Sequence, residues 1–490
     1  MKKSRFLLVL LFVVACFFVT SCGVGGATYV DYDGTEVQGI TEDKIYIGNT
    51  APTTGAFSTV GVPFNIGLNA ALKVYNDKGG FNGKTVELIN YDDEFTAEKG
   101  LTLTKKLVEE DQVFALVGHF GTPTVGATVD YIASESGIPM VYAATGISDL
   151  YNTEAKGYER AVMSVQPIYD AEGRVLLARA VASTEDNYGL GGTNIGVIST
   201  TDEAGMGMLS GIEYQAKKLN VDVKYVKTSS ASGTNHATAV NTLKAAGCDV
   251  IIVAANQAPF QEIMGYMRDG GLDNVKVITS YVSASASDLQ ALEATGCITA
   301  TREVYTAAWL DITSQSDPFL PANGDITTFD ADLYLWYCYG APLTGVAGFS
   351  KDYWDAAVAI ADYLAYDIDW TFADVLPNDG DVSVLEYSYN SYALAGYIAG
   401  YMFVQGLERV QASGVELTWK NYIDAMESAP ISVPMGGSID FANGARLGIT
   451  DLALNRYQMS FTYEGTYVAG QLVTYSGIKS LDDIIAHIAE

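Results

Sequence analysis

The sequence predicts an α/β protein built as two lobes, each with a mostly parallel sheet covered by helices on both faces. Three observations carry this reading. Short apolar strand segments alternate with helical segments through most of the chain, the pattern of parallel sheets with crossover helices. The alternation breaks at an extended segment, residues 158–167 (YERAVMSVQP), and then restarts in similar order. The clearest unit, Ala115 to Gly146, reads as strand (Ala115–Val117), Gly-rich turn (Gly118–Pro123), helix (about Val125–Ser136) and second strand (Pro139–Ala143).

In order, Lys44–Gly48 is a strand, and Thr50–Gly61 (TAPTTGAFSTVG) a Gly/Thr/Pro loop. A helix over about Pro63–Lys78 places Ile66, Ala70 and Val74 at helical spacing and stops at Gly79-Gly80. Thr85–Tyr91 is a strand ending in Asp92-Asp93-Glu94, and a helix follows around Thr96–Glu109. After the break come helix Asp170–Ala182, strand Asn194–Ser199, helix Gly205–Lys218, strand Asp222–Val226 and helix His236–Ala246. Strand Asp249–Ala254, helix Pro259–Asp269 and strand Lys276–Ser280 complete the second run. A cleft between two such lobes is the natural ligand site.

The amino terminus is of another kind. Lys2, Lys3 and Arg5 precede the apolar run Phe6–Val19, and Val19-Thr20-Ser21-Cys22 follows. The run is short for a membrane span and reads as a secretory leader. Its last four residues resemble a bacterial lipobox, which implies lipidation of Cys22 and a membrane-anchored, extracytoplasmic protein. Residues 23–43 then form a flexible tether.

The 490 residues carry a net charge of −30, which argues against a nucleic-acid partner. Once Cys16 and Cys22 are set aside, Cys248, Cys297 and Cys338 remain, so at most one disulfide can form.

A family resemblance rests on an ordered set of segments: Ile45–Gly48 with Gly55, Asn76–Lys84 (NDKGGFNGK), Asp92-Asp93, Gly118-His119-Phe120 and Ser136–Pro139. With Tyr392–Leu407 and Ser438–Gly448 near the other end, they resemble the substrate-binding proteins of branched-chain amino-acid ABC importers, of the type I periplasmic binding fold. The resemblance implies two Rossmann-like lobes joined by three crossovers, near Arg160–Pro167, Gly296–Tyr305 and Ser428–Phe441. Lobe 1 is then residues 44–163 and 300–430, with insertions at about 311–350 and 367–388. Lobe 2 is residues 164–299 and 431–480. The implied partners are a small-molecule ligand, an amino acid first, and ABC permease subunits in the membrane; no cofactor or metal is implied. An amide, a urea or another small metabolite is an alternative ligand, and a ligand-sensing surface domain is an alternative role.

Family members hold a ligand carboxylate with main-chain N–H groups and hydroxyls of the first lobe. Gly121-Thr122 and Ala144-Thr145 match those positions, and the open N–H groups of a helix start suit an anion; helix capping is the competing role for both threonines. In the second lobe the sequence departs from the family. Ala204 stands at an aromatic position, Asn256 follows Ala254-Ala255, and Tyr281 falls near the acid that meets the ligand ammonium. Asp202 or Glu203 could replace that acid, or be solvated turn residues. Phe57 is a candidate apolar wall.

Other motifs fail. Lys78–Thr85 (KGGFNGKT) lacks the first glycine of a P-loop, and Asp379–Glu386 copies only half a calcium loop. With His119, His236 and His487 the only histidines, and no Gly-x-Ser-x-Gly elbow, the chain reads as no enzyme. The Tyr392, Tyr397 and Tyr401 stripe reads as aromatic core.

Overall fold

A computed structural model describes residues 37–228, 235–310, 351–365, 390–463 and 466–488. The leader, Cys22, most of the tether, both insertions, Cys338 and Asp379–Glu386 lie outside the described residues.

The first sheet is wholly parallel. Its strands are β1 (Lys44–Ala51), β2 (Thr85–Asp92), β3 (Ala115–Val117), β4 (Met140–Val141) and β5 (Val162–Met163), in the order β2-β1-β3-β4-β5. Strands covered on both faces are apolar throughout, and Ile45, Ile47 and all of β3 are fully buried. Helices α1 (Ser58–Asp77), α2 (Ala97–Lys105) and α3 (Thr122–Tyr131) supply the crossovers. Helix α1 starts at Ser58, five residues before the expected Pro63, which therefore lies inside the helix beyond its first turn and leaves one i→i−4 hydrogen bond unmade. The preceding loop shrinks accordingly, and Phe57 becomes the residue at the helix entrance.

The second lobe begins with α4 (Tyr169–Val181) and continues β6 (Ile195–Thr200), α5 (Glu203–Leu219), β7 (Val223–Thr228), α6 (His236–Ala246), β8 (Val250–Ala254), α7 (Gln257–Asp269), β9 (Val275–Thr279), α8 (Ala286–Ala294) and β10 (Arg302–Ala308). The chain then returns to the first lobe as α9 (Lys351–Ala365), α10 (Ser391–Ser413) and α11 (Trp419–Glu427). The Trp419 indole N–H donates to the Phe114 carbonyl, 2.7 Å away, which docks α11 against the strand β3 region. A hairpin of β11 (Ile431–Val433) and β12 (Gly437–Ile439) follows. Finally β13 (Leu452–Gln458) and β16 (Gln471–Lys479) join the second sheet, separated by the hairpin β14 (Phe461–Tyr463) and β15 (Thr466–Val468), and α12 (Leu481–Ile485) ends the fold.

The second sheet has the order β16-β13-β10-β9-β8-β6-β7. Its first five strands in sequence pair in parallel, while β13 pairs antiparallel with both β10 and β16. Two expected lobe boundaries move. Residues 302–308 belong to the second sheet, because β10 extends the parallel ladder beside β9. The hairpin at 431–439 stays with the first lobe, where Gln405 of α10 donates to the Ser432 carbonyl. Two crossovers therefore lie later than expected, one after Ala308 and one at residues 445–451, the latter bonded to the first crossover through Ile449 N–H and the Val165 carbonyl.

Each lobe contains a helix pair in backbone contact. A methyl on Gly67 of α1 would stand 1.8 Å from the Ala393 carbonyl of α10, and one on Gly211 of α5 would stand 1.9 Å from the Asp170 carbonyl of α4. Only glycine admits such approach.

Candidate functional site

The turns after β3 and β4 are zipped together. Phe120 N–H donates to the Thr50 carbonyl, Ala144 N–H to the His119 carbonyl and Gly121 N–H to the Ala144 carbonyl. Gly121, with φ of 106°, makes the corner that a side chain would not permit and stands as the N-cap of α3, whose first turn carries no side-chain cap. The Thr122 hydroxyl is therefore not a capping group. It lies 2.9 Å from the Thr145 hydroxyl and 3.3 Å from that of Tyr169 in α4, across the cleft. Under this turn, fully buried His119 meets the Thr104 hydroxyl at 2.7 Å, and burial pushes its pKa down to about 3.

A second wall comes from a constrained turn. Glu94 and Phe95 both take left-handed backbone angles, φ 51° and 58°. Buried Asp93 holds the turn by accepting from Phe95 N–H at 2.8 Å and the Thr124 hydroxyl at 3.0 Å, and burial raises its pKa. The turn stacks Phe95 on Phe57 with ring centroids 3.9 Å apart. Non-glycine residues in this region cluster at ligand clamps.

The second lobe closes over these walls. Tyr169 N–H donates to the Gly146 carbonyl at 2.7 Å. Fully buried Glu172 accepts from the Ser280 hydroxyl at 2.8 Å and from Tyr281 N–H at 3.1 Å, which fixes the turn after β9. Burial raises the Glu172 pKa to about 7. The Tyr281 hydroxyl donates to the Pro167 carbonyl in the first crossover.

Between the lobes lies a cavity of about 1000 Å³, its mouth included. Phe57, Gly121, Thr122, Ala144, Asn256 and Tyr281 line it, and the structure brings these expected residues together. Thr145 is behind Thr122, buried and reached only through its hydroxyl. Asp202 and Glu203 are elsewhere. The Asp202 carboxylate accepts from Gly205 N–H and the Thr200 hydroxyl as the N-cap of α5. Glu203 faces α3, where a methyl on Gly126 would stand 3.3 Å from its carboxylate. Their place next to a strand end reflects capping chemistry, which uses the same residue types as ligand recognition.

Other lining residues carried no local signal. Phe95, Gln166, Tyr169, Trp309 and Tyr392 all face the cavity. Tyr392 opens the expected aromatic stripe, whose other members divide between core (Tyr397) and surface (Tyr401, 37% exposed). Gln166 lies in the first crossover and Trp309 just after β10, so both reach the cavity only because the crossovers run along its floor. Among the described residues, the Gln166 Oε1 and the Tyr392 hydroxyl have no hydrogen-bond partner.

The family model for periplasmic binding proteins matches residues 44–317, more than half of the chain. The chain belongs to the periplasmic binding protein family. A relative from Pseudomonas aeruginosa, an "Amino acid binding protein", is 24% identical over 237 residues, which cover 46% of this chain and 58% of that protein. The Leu/Ile/Val-binding protein of Citrobacter freundii is 22% identical over 299 residues, 61% of this chain and 76% of the relative. In structure, the chain is similar to a fatty acid ABC transporter substrate-binding protein from Thermomonospora curvata, with a TM-score of 0.62 at 17% identity, covering 94% of this chain and 99% of that one. The fold is that of type I periplasmic binding proteins, and the family is one of binding proteins rather than enzymes. Among the described residues, no helix is long and apolar enough to cross a membrane.

Proposed function

We propose that the protein is an extracytoplasmic solute receptor of an ABC importer, anchored through lipidated Cys22, which captures a small molecule between its lobes and delivers it to a membrane permease. The observation that carries this is the interlobe cavity itself. Its lining combines an uncapped helix start and the Thr122 hydroxyl with aromatic walls. A helix start of this kind favours an anionic or strongly hydrogen-bonding group, and the aromatic walls favour an apolar body. The names of the Pseudomonas and Citrobacter relatives support an amino acid, and the name of the Thermomonospora protein supports a longer acid; both are carboxylates.

Capture begins on the first lobe, which carries the rigid, doubly zipped turns. Closure brings Tyr169 and Tyr281 over the ligand, and the three crossovers supply the hinge. The closed shape is favoured only to the extent that the ligand gains contacts there. Thermal unfolding of the purified protein against amino acids, carboxylic acids, amides, ureas and nucleosides tests this. A captured solute at 100 times its Kd adds about 2.7 kcal/mol of stability; silence across the panel speaks against solute capture.

A further inference from the structure

If the interlobe cavity takes a solute, as proposed above, its walls discriminate among solutes by charge. A ligand ammonium taken out of water needs an acceptor, and in a dry cavity a carboxylate is the effective one. Among the described residues, none that lines the cavity is acidic or basic. Among the described residues, four acids near it in the chain are already engaged. Asp93 holds Phe95 N–H and the Thr124 hydroxyl. Glu172 holds Ser280 and Tyr281 N–H. Asp202 caps α5, and Asp288 accepts from the side-chain amides of Gln257 and Gln261, at 2.7 and 3.1 Å, and from Ser285.

The groups that do face the cavity suit the other half of a ligand. Thr122 and the uncapped start of α3 offer donors to a carboxylate. The stacked pair Phe57 and Phe95, with Phe120 and Trp309, offers apolar surface. Independently, Gln166 is a cavity residue only 8% exposed whose Oε1 lacks a partner among the described residues. This oxygen can accept from a ligand hydroxyl or N–H, but it carries no charge to offset a buried ammonium.

We propose that the cavity selects a monocarboxylate whose apolar body carries a neutral hydrogen-bonding group, or none, in place of an ammonium. The class therefore comprises 2-hydroxy and unsubstituted aryl- or branched-alkyl-carboxylates, and excludes the amino acids of the same skeleton.

Matched compounds test this on the purified full-length protein by calorimetric titration. L-Phenylalanine, its 2-hydroxy analogue (phenyllactate) and 3-phenylpropanoate differ only at the position of the ammonium, as do L-leucine and 4-methylpentanoate. The acids without nitrogen are expected to bind at least tenfold more tightly than their amino acids, and Thr122→Val to weaken them about tenfold, with Thr122→Ser restoring most of the loss. Equal or tighter binding of L-phenylalanine or L-leucine overturns the proposal. So does silence of all the nitrogen-free acids. In that case binding of any amide, urea or nucleoside leaves solute capture standing, whereas silence of every compound removes both.

Discussion

The two lobes are each assembled from separated stretches of chain, and each is fastened by a buried arginine, but the two arginines are treated differently. In the first lobe Arg446, 1% exposed, donates to Glu427 at 2.6 Å and to the carbonyls of Arg160, Phe441 and Ala445. Arg160 completes the cluster by pairing with both Glu427 and Asp424. In the second lobe Arg179 of α4 donates to the Tyr188, Leu452 and Gly477 carbonyls and the Ser476 hydroxyl, with no carboxylate among these partners. Both residues staple the last part of the chain onto the earlier one. The first does so with a neutralised charge beside the hinge, the second with a guanidinium read by carbonyls. The hinge end of the first lobe is therefore the more electrostatically committed region, and the second lobe fastens its late-arriving strands β13 and β16 to α4 through hydrogen bonds to neutral groups.

The largest expected effect follows directly. Arg446→Met takes one of two guanidinium partners from the mostly buried Glu427 carboxylate, which keeps Arg160, and also removes the donor to the Arg160, Phe441 and Ala445 carbonyls; it is expected to cost about 3 kcal/mol. Arg179→Met removes donors but takes no partner from a carboxylate, and relieves the burial that lowers the Arg179 pKa; it is expected to cost about 1–3 kcal/mol. Denaturant unfolding of both variants gives the order, and a larger loss for Arg179→Met reverses the comparison.

A second contrast is in pH. Glu172 of the second lobe has its pKa raised to about 7, so between the ordinary carboxylate range and pH 7 the folded protein holds a proton that the unfolded chain has lost. Its stabilising contribution is present at low pH and disappears as the pH rises through 7, by up to about 3 kcal/mol. His119 of the first lobe, pushed down to about 3, acts in the opposite sense: stability is lost as the pH falls from the ordinary histidine range toward 3. Glu172→Gln is therefore expected to be more stable than the parent at pH 8 and close to it at pH 5. Melting curves at the two pH values check this, and a parallel shift at both removes Glu172 from the account.

The smallest effect concerns the cavity wall. Phe95→Ala removes the stack on Phe57 and relaxes the turn held by Asp93. It is expected to weaken a bound aromatic or branched acid by about 1 kcal/mol, roughly fivefold, with little change in unfolding. Equal affinity would place the ligand away from that wall.

The parallel cores of both lobes were legible because strands buried on both faces leave continuous apolar runs such as Ala115–Val117 and Val250–Ala254. The turn at Gly121-Thr122 was legible as a strand-to-helix turn, but its residues read equally as a helix cap, and only the placement of Gly121 at the N-cap with the Thr122 hydroxyl on Thr145 separates the two. The antiparallel strand β13 was not legible. Its polar Asn455, Arg456 and Gln458 interrupt the apolar pattern, and only its place beside β10 makes it a strand of that sheet. Asp202 illustrates the converse error, because a helix cap and a ligand acid look alike in sequence. Phe95, Gln166 and Trp309 owe their role to left-handed backbone angles or to the path of the crossovers, which are decided by tertiary structure and leave no local trace.

The central claim is that a solute is held between the lobes. Hydrogen exchange of the purified protein, with and without a solute that raises its melting temperature, tests this most directly. The account predicts slowed exchange in residues 118–125 and 144–147 of the first lobe together with 280–284 of the second and 306–310 beside the hinge. Protection confined to one lobe, or found away from these segments, would contradict it.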